Sequence, residues 1–112
     1  MIEEKRGGIR LKNVLMFYLE DCGYCDKARR ALAELQEELS GVDLRNVQMV
    51  EESLEPEFAD RYDYYAVPTF YVDGVKLFEA HIGMSYADIK REVRRVLEAA
   101  LGENALDKAA AL

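Results

Sequence analysis

Two cysteines occur in the 112-residue chain, Cys22 and Cys25, separated by Gly23 and Tyr24. A bond between residues this close constrains very little chain, so the spacing suits reversible thiol chemistry rather than a structural staple. Upstream, Asn13 through Leu19 is a continuous apolar run of strand length closed by Glu20 and Asp21, the pattern of a strand buried on both faces. Downstream, Ala28, Leu32, Leu35 and Leu39 recur at spacings of three and four, with Ser40-Gly41 as a stop. This predicts an amphipathic helix whose first turn begins at Cys22. The pair then sits at a strand-to-helix junction, where free N–H groups and the helix dipole stabilise an anion. Thiols in such places have pKa values lowered to about 3.5–7.5. Cys22 is expected to attack a disulfide as the thiolate. Cys25, one turn in and toward the core, stays protonated longer and resolves the mixed disulfide.

A second feature is Val67-Pro68-Thr69, where a proline opens a β-rich stretch, which places it at an edge or in a special conformation. Were Val67-Pro68 cis and beside Cys22, the Val67 backbone would be free to pair with an extended substrate strand. The sequence does not show the isomer.

The remaining segments must position these groups. Leu44 to Val50 reads as a second strand, and Ser53 to Glu57 starts a short helix with Phe58, Ala59 and Tyr62 as its buried face. Val67 to Val72 and Val75 to Ala80 form an antiparallel hairpin about Asp73-Gly74, a strong two-residue turn signal. Ser85 with Asp88 resembles a capping box. Ile89, Val93, Val96, Leu97, Ala100 and Leu101 make a last amphipathic helix ending near Gly102. The order βαβαββα predicts an α/β fold, a central mixed four-stranded sheet with helices on both faces. The organisation expected is a charged, flexible arm over residues 1–12, one domain over 13–102, and a tail or helix extension over 103–112.

Composition narrows the function. Fifteen Lys and Arg stand against 22 Asp and Glu, a formal net charge of −7, with the basic residues scattered, so neither nucleic acid nor an anionic membrane is an expected partner. No apolar run approaches the roughly 20 residues that span a bilayer, and Met1 to Lys12 lacks a signal-peptide core, so the expected location is the cytoplasm.

Tyr18 to Cys25 with the Cys-Gly-Tyr-Cys motif, Val67-Pro68-Thr69, Asp73-Gly74 and Ile82-Gly83 together resemble the thioredoxin superfamily in order and spacing, over Asn13 to Leu101. Lacking the first strand and helix of full thioredoxins, the chain is more similar to the minimal, glutaredoxin-type architecture. The resemblance implies Cys22 as nucleophile, Cys25 as resolving thiol and a cis Pro68. It implies a substrate groove formed by Tyr24, Ala66, Val67, Pro68, Thr69 and Gly83, and no bound cofactor or metal. Reducing equivalents would come from a flavin-dependent reductase or a glutathione-type thiol, and substrates would be protein or small-molecule disulfides. Thioredoxins usually carry Gly-Pro between the cysteines and an aspartate midway along the preceding strand; here stand Gly23-Tyr24 and Met16. Glutaredoxins typically carry Pro-Tyr, half matched by Tyr24, and a Gly-Gly followed by an acid, whereas this chain runs Ile82-Gly83-Met84-Ser85.

Competing readings are fewer. A closed zinc site needs four ligands, and beyond the two cysteines only His81 is available, so metal or cluster binding would require a dimer in which the cysteines act as ligands of a redox-inert module. His81 is assigned no role, and with no heptad pattern a monomer is expected. Asp21 either raises the Cys22 pKa by like-charge repulsion or caps the helix. Tyr62, Tyr64 and Tyr65 either pack in the core or rim the groove, with Tyr65 or Ala66 the groove contact.

Overall fold

A computed structural model describes residues 11–40 and 42–111, with side chains described as far as residue 101. The strands are β1 (Val14–Tyr18), β2 (Val47–Glu51), β3 (Thr69–Val72) and β4 (Val75–Glu79); the helices are α1 (Gly23–Glu38), α2 (Pro56–Ala59) and α3 (Tyr86–Ala111). The sheet order is β2-β1-β3-β4. β1 runs parallel to β2 and antiparallel to β3, and β3 and β4 form the antiparallel hairpin. The expected order βαβαββα and the mixed four-stranded sheet are what the chain forms.

β1 reads as one apolar run because it lies inside the sheet and its alternate side chains enter two different cores. Val14 and Met16 face a cluster with Phe70, Val72 and Phe78, covered by Ala28, Ala31, Leu32 and Leu35 of α1 and Ile89, Val93, Val96 and Leu97 of α3. Leu15 and Phe17 face the other way, with Val50, Tyr71 and Ala59, under Phe58, Tyr62 and Tyr64. The helices are unevenly shared: α1 and α3 pack side by side on one face, and the four-residue α2 with its flanking loop covers the other. Across the α1–α3 seam, Lys90 donates to Glu34 (2.9 Å) and Glu38 (2.7 Å), and Arg94 donates to Glu38 (2.7 Å).

Several boundaries differ from expectation for local reasons. Leu44–Asn46 is a 3-10 turn rather than strand, because the Asp43 side chain accepts the Arg45 N–H (3.0 Å) and holds the chain in a turn until Val47 joins β1. α1 ends at Glu38 with Leu39 as its cap, so Ser40 lies past the stop; Gly41 falls outside the described residues. Of the arm, residues 1–10 also fall outside, whereas Lys12 is docked: its N–H donates to Ala100 (3.3 Å) and its ammonium pairs with Asp73 (3.7 Å). The last helix does not stop near Gly102 but continues to Ala111, through a stretch rich in Ala and Leu, which are good helix formers. The hairpin turn at Asp73 (φ 49°) and Gly74 (φ 83°) has the paired positive dihedrals of a type I′ turn. The Ser85–Asp88 capping box is formed in both directions, each bond 3.0 Å.

Candidate active site

β1 delivers the chain to the start of α1, and the helix cap there is sulfur. Cys22 is the N-cap residue, in extended conformation, and its Sγ accepts the Cys25 N–H at 3.1 Å, the place a serine or aspartate oxygen usually fills. Asp21 therefore does not cap the helix; it is solvent-exposed. The helix proper begins at Gly23, one residue later than expected. Cys22 and Cys25 are joined in a disulfide with Cα atoms 5.1 Å apart. Their surroundings differ sharply: Cys25 is fully buried, whereas Cys22 is half-exposed. Access thus separates the two sulfurs, because an incoming molecule can reach only the first.

The β2-side support of this junction is Glu51, the last residue of β2. Its carboxylate accepts the N–H groups of Glu20 (3.1 Å), Ser53 (2.7 Å) and Leu54 (3.2 Å) and the Ser53 hydroxyl. The Glu20 bond fixes the β1–α1 loop two residues before Cys22. The Ser53 hydroxyl, and then these N–H groups, hold the Glu51 carboxyl below the ordinary glutamate value of 4.5 against the opposing effect of desolvation. A carboxyl whose folded pKa is lowered stabilises the fold fully above its unfolded value and loses that contribution as pH falls through the folded one. Glu51→Gln is accordingly expected to lower Tm at pH 7 and to flatten the decline of Tm between pH 4.5 and pH 3. An identical Tm deficit at both ends of that range, measured by circular dichroism, would contradict this.

The segment before β3 also reaches this junction. The Val67 carbonyl oxygen lies 3.8 Å from Cys22 Sγ, close enough to accept from the thiol when the pair is reduced. The Val67–Pro68 peptide bond is cis. Pro68 and Thr69 are fully buried, the Thr69 hydroxyl donates to the Ala66 carbonyl, and Ala80 N–H donates to the Pro68 carbonyl at 3.0 Å. Ala66 and Val67 are half-buried, and Tyr65 stands 93% exposed. Tyr62 and Tyr64 belong to the core, packed on Phe17 at 5.0 and 4.8 Å between ring centroids. The three tyrosines therefore divide, two to the core and Tyr65 to the surface.

The β4–α3 loop is tied to the start of α1 through Tyr24. Gly83 (φ 97°) donates its N–H to the Tyr24 hydroxyl at 2.8 Å, tying the loop to the residue between the cysteines. Ile82 beside it is 91% exposed. Of the expected groove residues, Val67 thus lies beside Cys22 Sγ, Pro68 and Thr69 follow it into β3, and Gly83 is tied to the Tyr24 side chain. His81 is exposed, with Nδ1 3.2 Å from the Ile82 carbonyl. Met16 lies fully buried in the core under α1 and α3. Among the described residues no group of three or more His, Cys, Asp or Glu is arranged to hold a metal ion, and no helix is long and apolar enough to cross a membrane.

Sequence reasoning missed Glu51 and Glu79, both placed at a strand's last position. Glu79 accepts the N–H groups of Tyr65 and Ala66. The available signal was an acid ending an apolar strand, which is ordinarily a solvated residue.

The family model "Glutaredoxin" matches residues 14–77, more than half of the chain. No curated protein matches by sequence. Among solved structures, a mutant thioredoxin from Halobacterium salinarum is similar at 20% identity and a TM-score of 0.50, over 80% of this chain and 76% of that one. A protein described as malarial is similar at 17% identity and a TM-score of 0.47, over 75% of this chain and 94% of its own. At such identity the thioredoxin likeness speaks to the fold.

Proposed function

Because this chain belongs to the glutaredoxin family, with a thiol–disulfide redox role, we propose that it reduces protein or small-molecule disulfides through a Cys22/Cys25 dithiol cycle. The observation that carries this reading is the asymmetry of the pair: a half-exposed sulfur capping a helix, bonded to a fully buried one. In the reduced protein the Cys22 thiolate attacks one sulfur of a substrate disulfide. A Cys22–substrate bond forms, the substrate bond breaks, and the leaving thiolate takes up a proton. Cys25, losing its proton, then attacks Cys22 Sγ, which releases the second substrate thiol. The balance is two electrons and two protons to the substrate and one disulfide in the protein. The dithiol is restored by a reductase or by two equivalents of a glutathione-type thiol.

Charge placement favours the first step. The Cys25 N–H points at Cys22 Sγ, and the unpaired start of α1 adds its dipole. The groove-forming residues in this reading are Tyr24, Ala66, Val67, Pro68, Thr69 and Gly83, with the Val67 backbone offered to an extended substrate. The protein acts as a monomer in the cytoplasm and carries no bound cofactor.

The test is an equilibrium titration of the Cys22/Cys25 pair against defined ratios of reduced and oxidised dithiothreitol and glutathione, followed by alkylation and mass. A single two-electron transition is expected. A strongly reducing midpoint assigns the recycling to a dedicated reductase, and one near the glutathione pool assigns it to glutathione. Failure to form any intramolecular disulfide would overturn the proposal.

A further inference from the structure

The carboxylate of Glu79 is bonded to the backbone that leads into Val67. It ends β4, paired opposite Thr69, and its side chain is 18% exposed. One oxygen, Oε2, accepts two successive backbone N–H groups, from Tyr65 at 2.7 Å and Ala66 at 2.8 Å. The other, Oε1, pairs with the Lys76 ammonium at 2.7 Å, and that ammonium also donates to the Asp63 carbonyl at 3.2 Å. Burial pushes the Glu79 carboxyl up, but Lys76 and the two N–H groups more than offset this and leave it below the ordinary range, so it is anionic at neutral pH. Residues 63–66 are thereby held to the hairpin by charge-assisted bonds, while the Thr69 hydroxyl holds the Ala66 carbonyl from the other side. The next residue, Val67, is the one whose carbonyl lies beside Cys22 Sγ.

We propose that Glu79 is a positioning residue for extended peptide disulfides: by clamping the Tyr65 and Ala66 amides it presents the Val67 backbone, ready to pair, alongside the attacking sulfur. This rests on the assignment of Cys22 as the sulfur that meets substrate. A peptide that lies along Val67 benefits because the segment is already ordered and its immobilisation entropy is not lost on binding. A small disulfide with no peptide backbone makes contact at sulfur and gains nothing from the clamp.

The experiment compares pre-reduced full-length wild type, Glu79→Ala, Glu79→Asp and Glu79→Gln. Their oxidation is followed by acid quench, alkylation and mass as a function of disulfide concentration. One substrate is 2-hydroxyethyl disulfide; the other is a ten-residue extended peptide bearing a mixed disulfide. Glu79→Ala should raise the half-saturating peptide concentration by about tenfold, the scale expected for losing charge-assisted bonds, with less than about twofold change in limiting rate. The small disulfide should change by less than about twofold in both quantities. Glu79→Asp, which keeps the charge but falls one methylene short, should raise peptide half-saturation by about threefold. Glu79→Gln keeps an oxygen that can accept both N–H groups but is neutral and turns its amide NH2 toward the Lys76 ammonium, so its peptide half-saturation should fall between those of Glu79→Asp and Glu79→Ala. Parallel loss with both substrates, or peptide half-saturation unchanged in Glu79→Asp, would overturn the inference while leaving the redox reading intact. A wild type that reduces neither substrate would overturn the redox reading, and the inference with it.

Discussion

Cys22→Ser is expected to abolish disulfide reduction, whereas Cys25→Ser is expected to stop the reaction halfway, as a stable mixed disulfide on Cys22. The asymmetry follows from where the sulfurs lie. Cys22 is half-exposed at the cap of α1 and receives the Cys25 N–H, so it can meet an incoming disulfide and be stabilised as an anion. Cys25 is fully buried one turn later, so no macromolecular disulfide reaches it, yet it stands within bonding distance of Cys22. A serine hydroxyl at position 22 is a far poorer nucleophile, and the remaining thiol is inaccessible; turnover should fall below detection. A serine at position 25 leaves the first displacement possible and removes the second. Incubating each variant with a peptide disulfide and measuring intact mass distinguishes the outcomes: an adduct of one peptide thiol on Cys25→Ser and none on Cys22→Ser. Equal loss of thiol reactivity in both variants would contradict the roles assigned.

Phe17→Ala should produce the largest loss of stability among single substitutions on the α2 side of the sheet. Phe17 is fully buried and contacts Phe58 (6.0 Å), Tyr62 (5.0 Å), Tyr64 (4.8 Å, stacked) and Tyr71 (6.1 Å, edge-on), all centroid to centroid. Because α2 has only four residues, the segment over this face is held by these rings rather than by helix packing. Removing the central ring costs both its transfer energy and a cavity, about 3–5 kcal/mol. For a domain of this size that corresponds to a Tm lower by roughly 20 °C. The consequence reaches the site, since Tyr64 immediately precedes Tyr65 and the amides clamped by Glu79. Thermal unfolding read by circular dichroism checks the first effect, and the half-saturating concentration of a peptide disulfide checks the second. A Tm within a few degrees of wild type would show that the α2 face is held some other way.

Much of the fold was legible because its signals are local. The apolar run of β1, the three-and-four spacing of α1 and α3, the Asp73-Gly74 turn and the Ser85–Asp88 box each depend on neighbours within one or two turns. The errors were also local. The chain from Leu44 to Asn46 has strand-like composition, but the Asp43 side chain imposes a turn. Gly102 is a poor helix residue, yet α3 passes through it because the sequence on both sides favours helix. Glu51 and Glu79 could not be singled out. The partners through which they reach the site, Glu20 and Tyr65, lie 31 and 14 residues away, and a carboxylate's sequence neighbours do not reveal a distant amide.

The sequence by itself determined that the two cysteines can pair: a three-residue separation at the entrance to a helix spans one turn and brings the two sulfurs within reach of each other in any fold that forms that helix. It also determined which side chains face inward, through periodicity. Only the tertiary structure decided what stands next to Cys22 Sγ. Val67 reaches Cys22 across 45 residues because β3 pairs antiparallel with β1 in the register Phe17 to Thr69. Pairing register is a property of two strands and their packing, which no single segment encodes.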